Sequence, residues 1–244
     1  DEQRLTAGAI LLATGGRPKR PELPLDERAA TSDDFFTWQH LPRSVAIVGA
    51  GYIAVELAGV LRALGSEVTL VMRGDGPLRS FHSSVTAVLT EEMQASGIRL
   101  VRGFEVTGLV EDAGGLALES ARGAPRLGAF ERVVWAIGRT PSSRGIGLEE
   151  LGVRLDTKGH IEVDEWQATN VSGVYAVGDV TGRVPLTPVA IAAGRRLSDR
   201  LFGAQTDAKL DPPRLPACRV PRRWRRPGSR CPPGRHRTSP RWWT

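Results

Sequence analysis

A chain of 244 residues has room for one large or two small domains, and its 41% hydrophobic share is ordinary for a globular protein. It holds no run of about 20 apolar residues, which argues against a helical membrane span. Its net charge of +6 suggests an anionic partner only until the distribution is read. Ten of the 33 basic residues are arginines in Pro212–Thr244, where there is no Asp, Glu or Lys, leaving 23 basic against 27 acidic residues in the body.

The opening residues Asp1–Arg4 show neither an initiator Met nor a signal-peptide pattern and read as the interior of something longer. Leu5 to Leu12 ends in a strand-like AILLATGG, with Thr14-Gly15-Gly16 as a sharp exit. Pro18, Pro21 and Pro24 then impose an extended crossing, because proline fixes φ and disfavours helix in the residue before it. Asp33 to Trp38 reads as a short helix capped by Ser32.

Val45 to Arg79 is the most informative stretch. Val45-Ala46-Ile47-Val48 suits a strand buried on both faces. Gly49-Ala50-Gly51 follows as a turn that lets a pyrophosphate approach bare backbone. A helix from Tyr52 to about Leu64 then aims its N-terminal N–H groups and dipole at that phosphate. The motif's third position is Ala54 rather than glycine, so helix and strand are expected to sit slightly further apart. Strand, glycine turn and helix in this order form a dinucleotide-binding βαβ unit.

The end of the second strand chooses the dinucleotide. An NAD site usually has an Asp or Glu there to accept from the ribose 2′-OH, about 20 residues past the glycines. Here the strand ends Val71-Met72-Arg73, with Arg79 six residues later. Two guanidinium forks suit a 2′-phosphate, which implies NADPH.

Further along, Ser83 or Ser84 is expected to cap a helix to Ser96, stopped by Gly97. Ile98–Val101, Phe104–Val110, Leu116–Leu118 and Arg132–Ile137 read as a strand, a meander and another strand, with turns at Gly114-Gly115 and Gly123. Ile161–Val163 and Val174–Val177 add two more strands, the second ending in Gly178-Asp179. Leu186-Thr187-Pro188 opens a helix over Val189–Leu201 whose early proline and late arginines favour both ends.

LATGG, VGAGYIAVELAG, VMRGDGPLRSF, VVWAIGR, GVYAVGDVTG and LTPVAIAAGRRL, in that order, closely resemble the bacterial glutathione reductases within the class I pyridine nucleotide–disulfide oxidoreductases. The likeness covers roughly Leu5 to Leu210. Arg-x5-Arg-Ser-Phe and LTPVAIAAGR set it apart from NAD-dependent dihydrolipoamide dehydrogenases, and trypanothione reductase is the nearest neighbour. The resemblance implies an α/β fold in which a Rossmann-like NADPH-binding domain, residues 21–139, is inserted in a partial FAD-binding domain formed by residues 1–20 and 140–210, with 211–244 as a disordered basic tail.

The same resemblance implies residue roles. Gly49, Ala50, Gly51 and Ile53 would line the NADPH pyrophosphate and ribose, Arg73 and Arg79 would clamp the 2′-phosphate, and Gly138 would admit the nicotinamide end. Tyr52 would gate the flavin, and Glu56 would support a lysine beside it. Thr14, Gly15, Arg139, Asp179 and Thr187 would serve FAD. The family's redox CxxxxC pair and FAD GxGxxG are expected to precede Asp1, and its dimer domain with the acid–base His to follow Asp211. No catalytic redox residue and no metal site is therefore assigned to this chain. Departures from the family are His82, usually aspartate, and Pro185. The implied whole is a cytoplasmic homodimer that reduces glutathione disulfide, so this chain by itself is expected to be inactive. A non-catalytic NADP(H)-binding module is the alternative.

The tail loses the resemblance abruptly at Asp211. A nucleic-acid segment of Arg and Trp is one reading. A cysteine-based metal or disulfide element is a second, but Cys218, Cys231 and one nearby His236 fall short of a zinc set. Out-of-frame translation of GC-rich coding sequence is the third and preferred one, and nucleic acid is not expected as a partner. On any of them the tail lacks the apolar surface to offset chain entropy.

Overall fold

The computed structural model describes residues 4–112, 114–120 and 125–210. The expectations for the tail and for a turn at Gly123 lie outside these residues. In chain order the elements are β1 (Ile10–Leu12), β2 (Gly16–Pro18), β3 (Ala30–Thr31), α1 (Ser32–Phe35), β4 (Ser44–Val48), α2 (Tyr52–Leu64), β5 (Glu67–Val71) and α3 (Ser83–Ala95). There follow β6 (Arg99–Val101), β7 (Val106–Asp112), β8 (Gly115–Ser120), β9 (Leu127–Phe130), β10 (Arg132–Trp135), β11 (Arg139–Pro141), β12 (Val174–Ala176) and α4 (Thr187–Phe202).

Five strands form a parallel sheet in the order β3-β10-β4-β5-β6. One face buries Val45, Ile47, Leu70 and Val134 against Ala54, Leu57, Ala58 and Leu61 of α2 and Met93 of α3. Those α2 residues fall at i, i+3, i+4 and i+7, the spacing of one helix face. The other face buries Ala46, Val48, Val71, Val133 and Trp135 under the antiparallel meander β7-β8-β9. Both faces being covered explains why the strands are unbroken apolar runs. Gly65, at φ 110°, ends α2, and the N–H groups of Gly65 and Ser66 return to Arg62 O and Leu61 O at 3.1 and 3.0 Å.

Two smaller pieces complete the described chain. β1 pairs in parallel with β12 over a cluster of Leu148, Val153, Ile161, Val174, Ala176 and Val180. β2 pairs antiparallel with β11, joining the segments on either side of the parallel sheet.

Several elements differ from the sequence reading. The short helix starts at Ser32, not Asp33, and Thr31 rather than Ser32 organises its start. The Asp34 carboxylate accepts from the N–H and hydroxyl of Thr31 at 2.7 and 2.8 Å. Helix α3 is capped by His82, whose Nδ1 accepts from Ser84 N–H at 3.3 Å, rather than by Ser83 or Ser84. Ile161–Val163 is no strand, since only an isolated bridge joins Leu155 to Ile161. The strand-like end of Leu5–Leu12 forms β1 over Ile10–Leu12, where β12 supplies a partner. Strand β9 was not expected, because Leu127-Gly128-Ala129-Phe130 has too few β-branched residues to announce itself.

Candidate functional site

A cleft of about 850 Å³ opens at the carboxyl ends of the parallel strands. That is where ligands bind in open α/β sheets. The turn after β4 forms its floor. A methyl group on Gly49 would sit 2.2 Å from the Ala136 carbonyl oxygen, and φ there is 150°, so only glycine fits against the exit of β10. Gly51 has no heavy atom within 4 Å of where a Cβ would be, so its backbone is open to an approaching group. Helix α2 begins at once, and no side chain caps it. Its first N–H groups are thus free for an anion.

The loop after β5 supplies the charge. Arg73 and Arg79 line the cleft, and neither has a hydrogen bond or ion pair among the described residues. The Arg79 guanidinium lies over Gly74, where a methyl would meet Nη1 at 2.7 Å, so Gly74 makes room for it. The backbone is fixed from two sides: Leu78 N–H donates to Ala50 O at 2.7 Å, and Gly103 N–H to Gly74 O at 3.3 Å. The Arg73–Arg79 loop is thereby fastened to the glycine turn.

At the opposite end of the cleft Arg139 is already engaged. It donates to the Gly16 carbonyl and lies 3.6 Å from Asp33 and 4.0 Å from Asp179. Asp179 stands in the 3-10 turn Gly178–Thr181 that follows β12.

Of the residues singled out from the sequence, Gly49, Ala50, Gly51, Tyr52, Ile53, Arg73, Arg79, Gly138, Arg139 and Asp179 share the wall of this one cleft. Thr14, Gly15, Glu56 and Thr187 do not. Glu56 is exposed on α2, Thr187 is exposed at the start of α4, and the Gly15 carbonyl is taken by Ser142 N–H at 3.0 Å. Sequence reasoning missed Lys19, Phe104, Glu105, Trp135 and His160 on the wall. Among these only Trp135 carried a signal, as the last residue of a strand one step before the Ala136-Ile137-Gly138 exit. Among the described residues no group of acidic, His or Cys side chains is arranged to hold a metal.

The family model for pyridine nucleotide-disulphide oxidoreductases matches residues 1–194. This chain belongs to the pyridine nucleotide-disulphide oxidoreductase family. A glutathione reductase of Yarrowia lipolytica is 42% identical over 200 residues, which are 81% of this chain and 43% of the relative. Among solved structures, the HOCl-induced flavoprotein disulfide reductase RclA of Escherichia coli superposes with a TM-score of 0.75 at 23% identity, covering 83% of this chain and 46% of that one. LpdA of Mycobacterium tuberculosis gives a TM-score of 0.72 at 28% identity, over 80% of this chain and 42% of its own. The chain thus spans less than half the length of the oxidoreductases it matches. No helix among the described residues is long and apolar enough to cross a membrane.

Proposed function

We propose that the chain is the NADPH-binding part of a glutathione-disulfide reductase of this family, with residues 21–139 as the NADPH domain and residues 1–20 and 140–210 as FAD-domain segments. The observation that carries the reading is the pair Arg73 and Arg79, unpartnered on the wall beside an uncapped helix N-terminus. Both arginines are exposed on that wall and so within reach of a ligand, and a ribose 2′-phosphate offers two guanidinium forks several acceptor oxygens for charge-assisted bonds. Gly49 and Gly51 leave the backbone bare for the pyrophosphate, and Gly138 leaves an open exit from β10 for the nicotinamide end.

When bound, NADPH supplies a hydride and FAD relays the electrons to a disulfide. In this reading the chain's residues orient the donor: the arginines would hold one end and the α2 N-terminus the middle, and Tyr52, 40% exposed at the helix start and on the same wall, would gate the flavin. On the FAD side Arg139 and Asp179 fit a nucleotide, whereas Thr14, Gly15 and Thr187 stand off the cleft wall. The body of the chain holds no cysteine, so the disulfide step calls for thiols from outside residues 1–211. Glutathione disulfide as substrate follows the Yarrowia relative, and a homodimer in the cytoplasm belongs to the same reading. That the flavin-side residues only partly converge favours a second reading, a binding module for NADP(H) without chemistry of its own.

Isothermal titration with NADPH and NADH tests the clamp. Arg73→Ala with Arg79→Ala should weaken NADPH by about 3 kcal/mol, on the order of a hundredfold, while NADH changes little. Equal losses for both cofactors would overturn it.

A further inference from the structure

We infer that His160 is an additional nucleotide-binding residue, whose Nε2 accepts a hydrogen bond from a sugar hydroxyl at the Arg139–Asp179 end of the cleft. The inference rests on the reading of the cleft as a dinucleotide site.

His160 lines the cleft although it lies far in sequence from the glycine turn. It is held by the tight turn Asp156–Gly159. Asp156 Oδ1 accepts from the backbone N–H groups of Lys158 and His160, both at 2.8 Å, and Oδ2 stands 3.0 Å from His160 Nδ1. These bonds keep the carboxyl ionised at neutral pH, its pKa lowered to about 2 chiefly by the His160 N–H. An ionised Asp156 can only accept at this contact, so Nδ1–H donates to it, and in that tautomer of the imidazole the lone pair lies on Nε2.

The second restraint is Gly182. A Cβ there would meet ring atoms Cγ, Cδ2 and Nδ1 at 2.5 to 2.7 Å, so the near edge of the imidazole rests on that glycine. Nε2 is the ring nitrogen that these nearest contacts leave out. Gly182 in turn donates its N–H to the Asp179 carbonyl at 3.0 Å, which ties the imidazole to the turn bearing the Asp179 carboxylate.

This end of the cleft therefore offers two acceptors, Nε2 and the Asp179 carboxylate, beside one guanidinium, Arg139. Its other walls include Gly16, Thr140, Pro141, Gly182 and Pro185. A sugar with a phosphate fits: hydroxyls donate to the two acceptors and the phosphate meets the arginine. Both NADPH and FAD carry such a sugar–phosphate.

The test is titration of the full chain with NADPH and, separately, with FAD. His160→Phe keeps the flat ring on Gly182 and removes both nitrogens. It should weaken one nucleotide about three- to tenfold, and His160→Gln, which returns an acceptor near the position of Nε2, should recover most of the loss. Loss confined to NADPH assigns the sugar to that cofactor, and loss confined to FAD assigns it to the flavin nucleotide. Should His160→Phe fail to fold, Asp156→Asn reads the same contact by freeing the ring, with about a two- to threefold loss expected. Unchanged affinity for both nucleotides in the folded variant overturns the role of His160 alone. Failure of the unsubstituted chain to bind either nucleotide overturns the reading of the cleft as well.

Discussion

The strand β4 and the strand β1 begin from similar material, an apolar run followed by glycines, and end in different surroundings. Val45, Ala46 and Ile47 are fully buried, with a helix layer on one face and a meander on the other, whereas Ile10 and Leu11 remain 48% and 50% exposed. An apolar run makes a strand in either place, but burial needs layers to cover it. The five-stranded sheet has both layers within the described residues. The β1–β12 pair has one small cluster beneath it, and β1 pairs on one side only. The nucleotide-binding part should therefore keep its shape under perturbations that loosen the other.

The largest effect is expected where the parallel sheet meets the cleft. Gly49→Ala sets a methyl against the Ala136 carbonyl, a backbone atom held by the Ala136 N–H bond to Val48 O at 2.8 Å. Neither side can yield without opening the sheet, so the cost should be about 3 kcal/mol or more, with loss of NADPH binding. Thermal unfolding of the variant measures it. A midpoint equal to that of the unsubstituted chain would mean that the turn is softer than the sheet around it.

Next in size is a matched pair of core truncations. Leu61 and Ile161 are both fully buried, one between α2 and the parallel sheet, the other in the small cluster. Leu61→Ala should cost about 4 kcal/mol and Ile161→Ala about 2, because a cluster with few layers collapses more easily around a void. Urea denaturation gives both values, and hydrogen exchange gives the location. Amides of β4 and β5 should exchange at least about tenfold more slowly than those of β1. Equal protection in the two regions would dissolve the contrast between them.

The same contrast governs what the sequence could disclose. The β4–α2–β5 unit was legible because every signal in it is local: apolar run, glycine turn, helix spacing, then arginines at the strand end. Its bounds at Tyr52–Leu64 came out as read, and the cleft collects its residues. The smaller region depends on partners far along the chain. β2 finds β11 across about 120 residues, and nothing in Gly16-Arg17-Pro18 announces that pairing. Ile161–Val163 looked like a strand on composition, yet only Ile161 finds a bridge, and the Asp156–Gly159 turn beside it decides the local backbone. His82 as a cap and His160 as a cleft wall were invisible for a related reason: an imidazole has no strong positional preference, so its role comes from what the fold brings beside it.

The smallest effect isolates that turn. Asp156 is exposed, and its carboxyl is lowered from 3.8 to about 2, first by the His160 N–H, then by the His160 ring. A folded value below the unfolded one means that folding favours the carboxylate. Its contribution is complete above about pH 4 and disappears as the pH falls from 3.8 towards 2. The thermal midpoints of the unsubstituted chain and of Asp156→Asn should differ by a constant small amount from pH 8 to pH 5 and converge only as the pH falls to about 2. If the difference instead opened or closed between pH 7 and pH 6, the imidazole rather than the carboxylate would be the group that sets the turn, and the lone pair assigned to Nε2 would lose its basis.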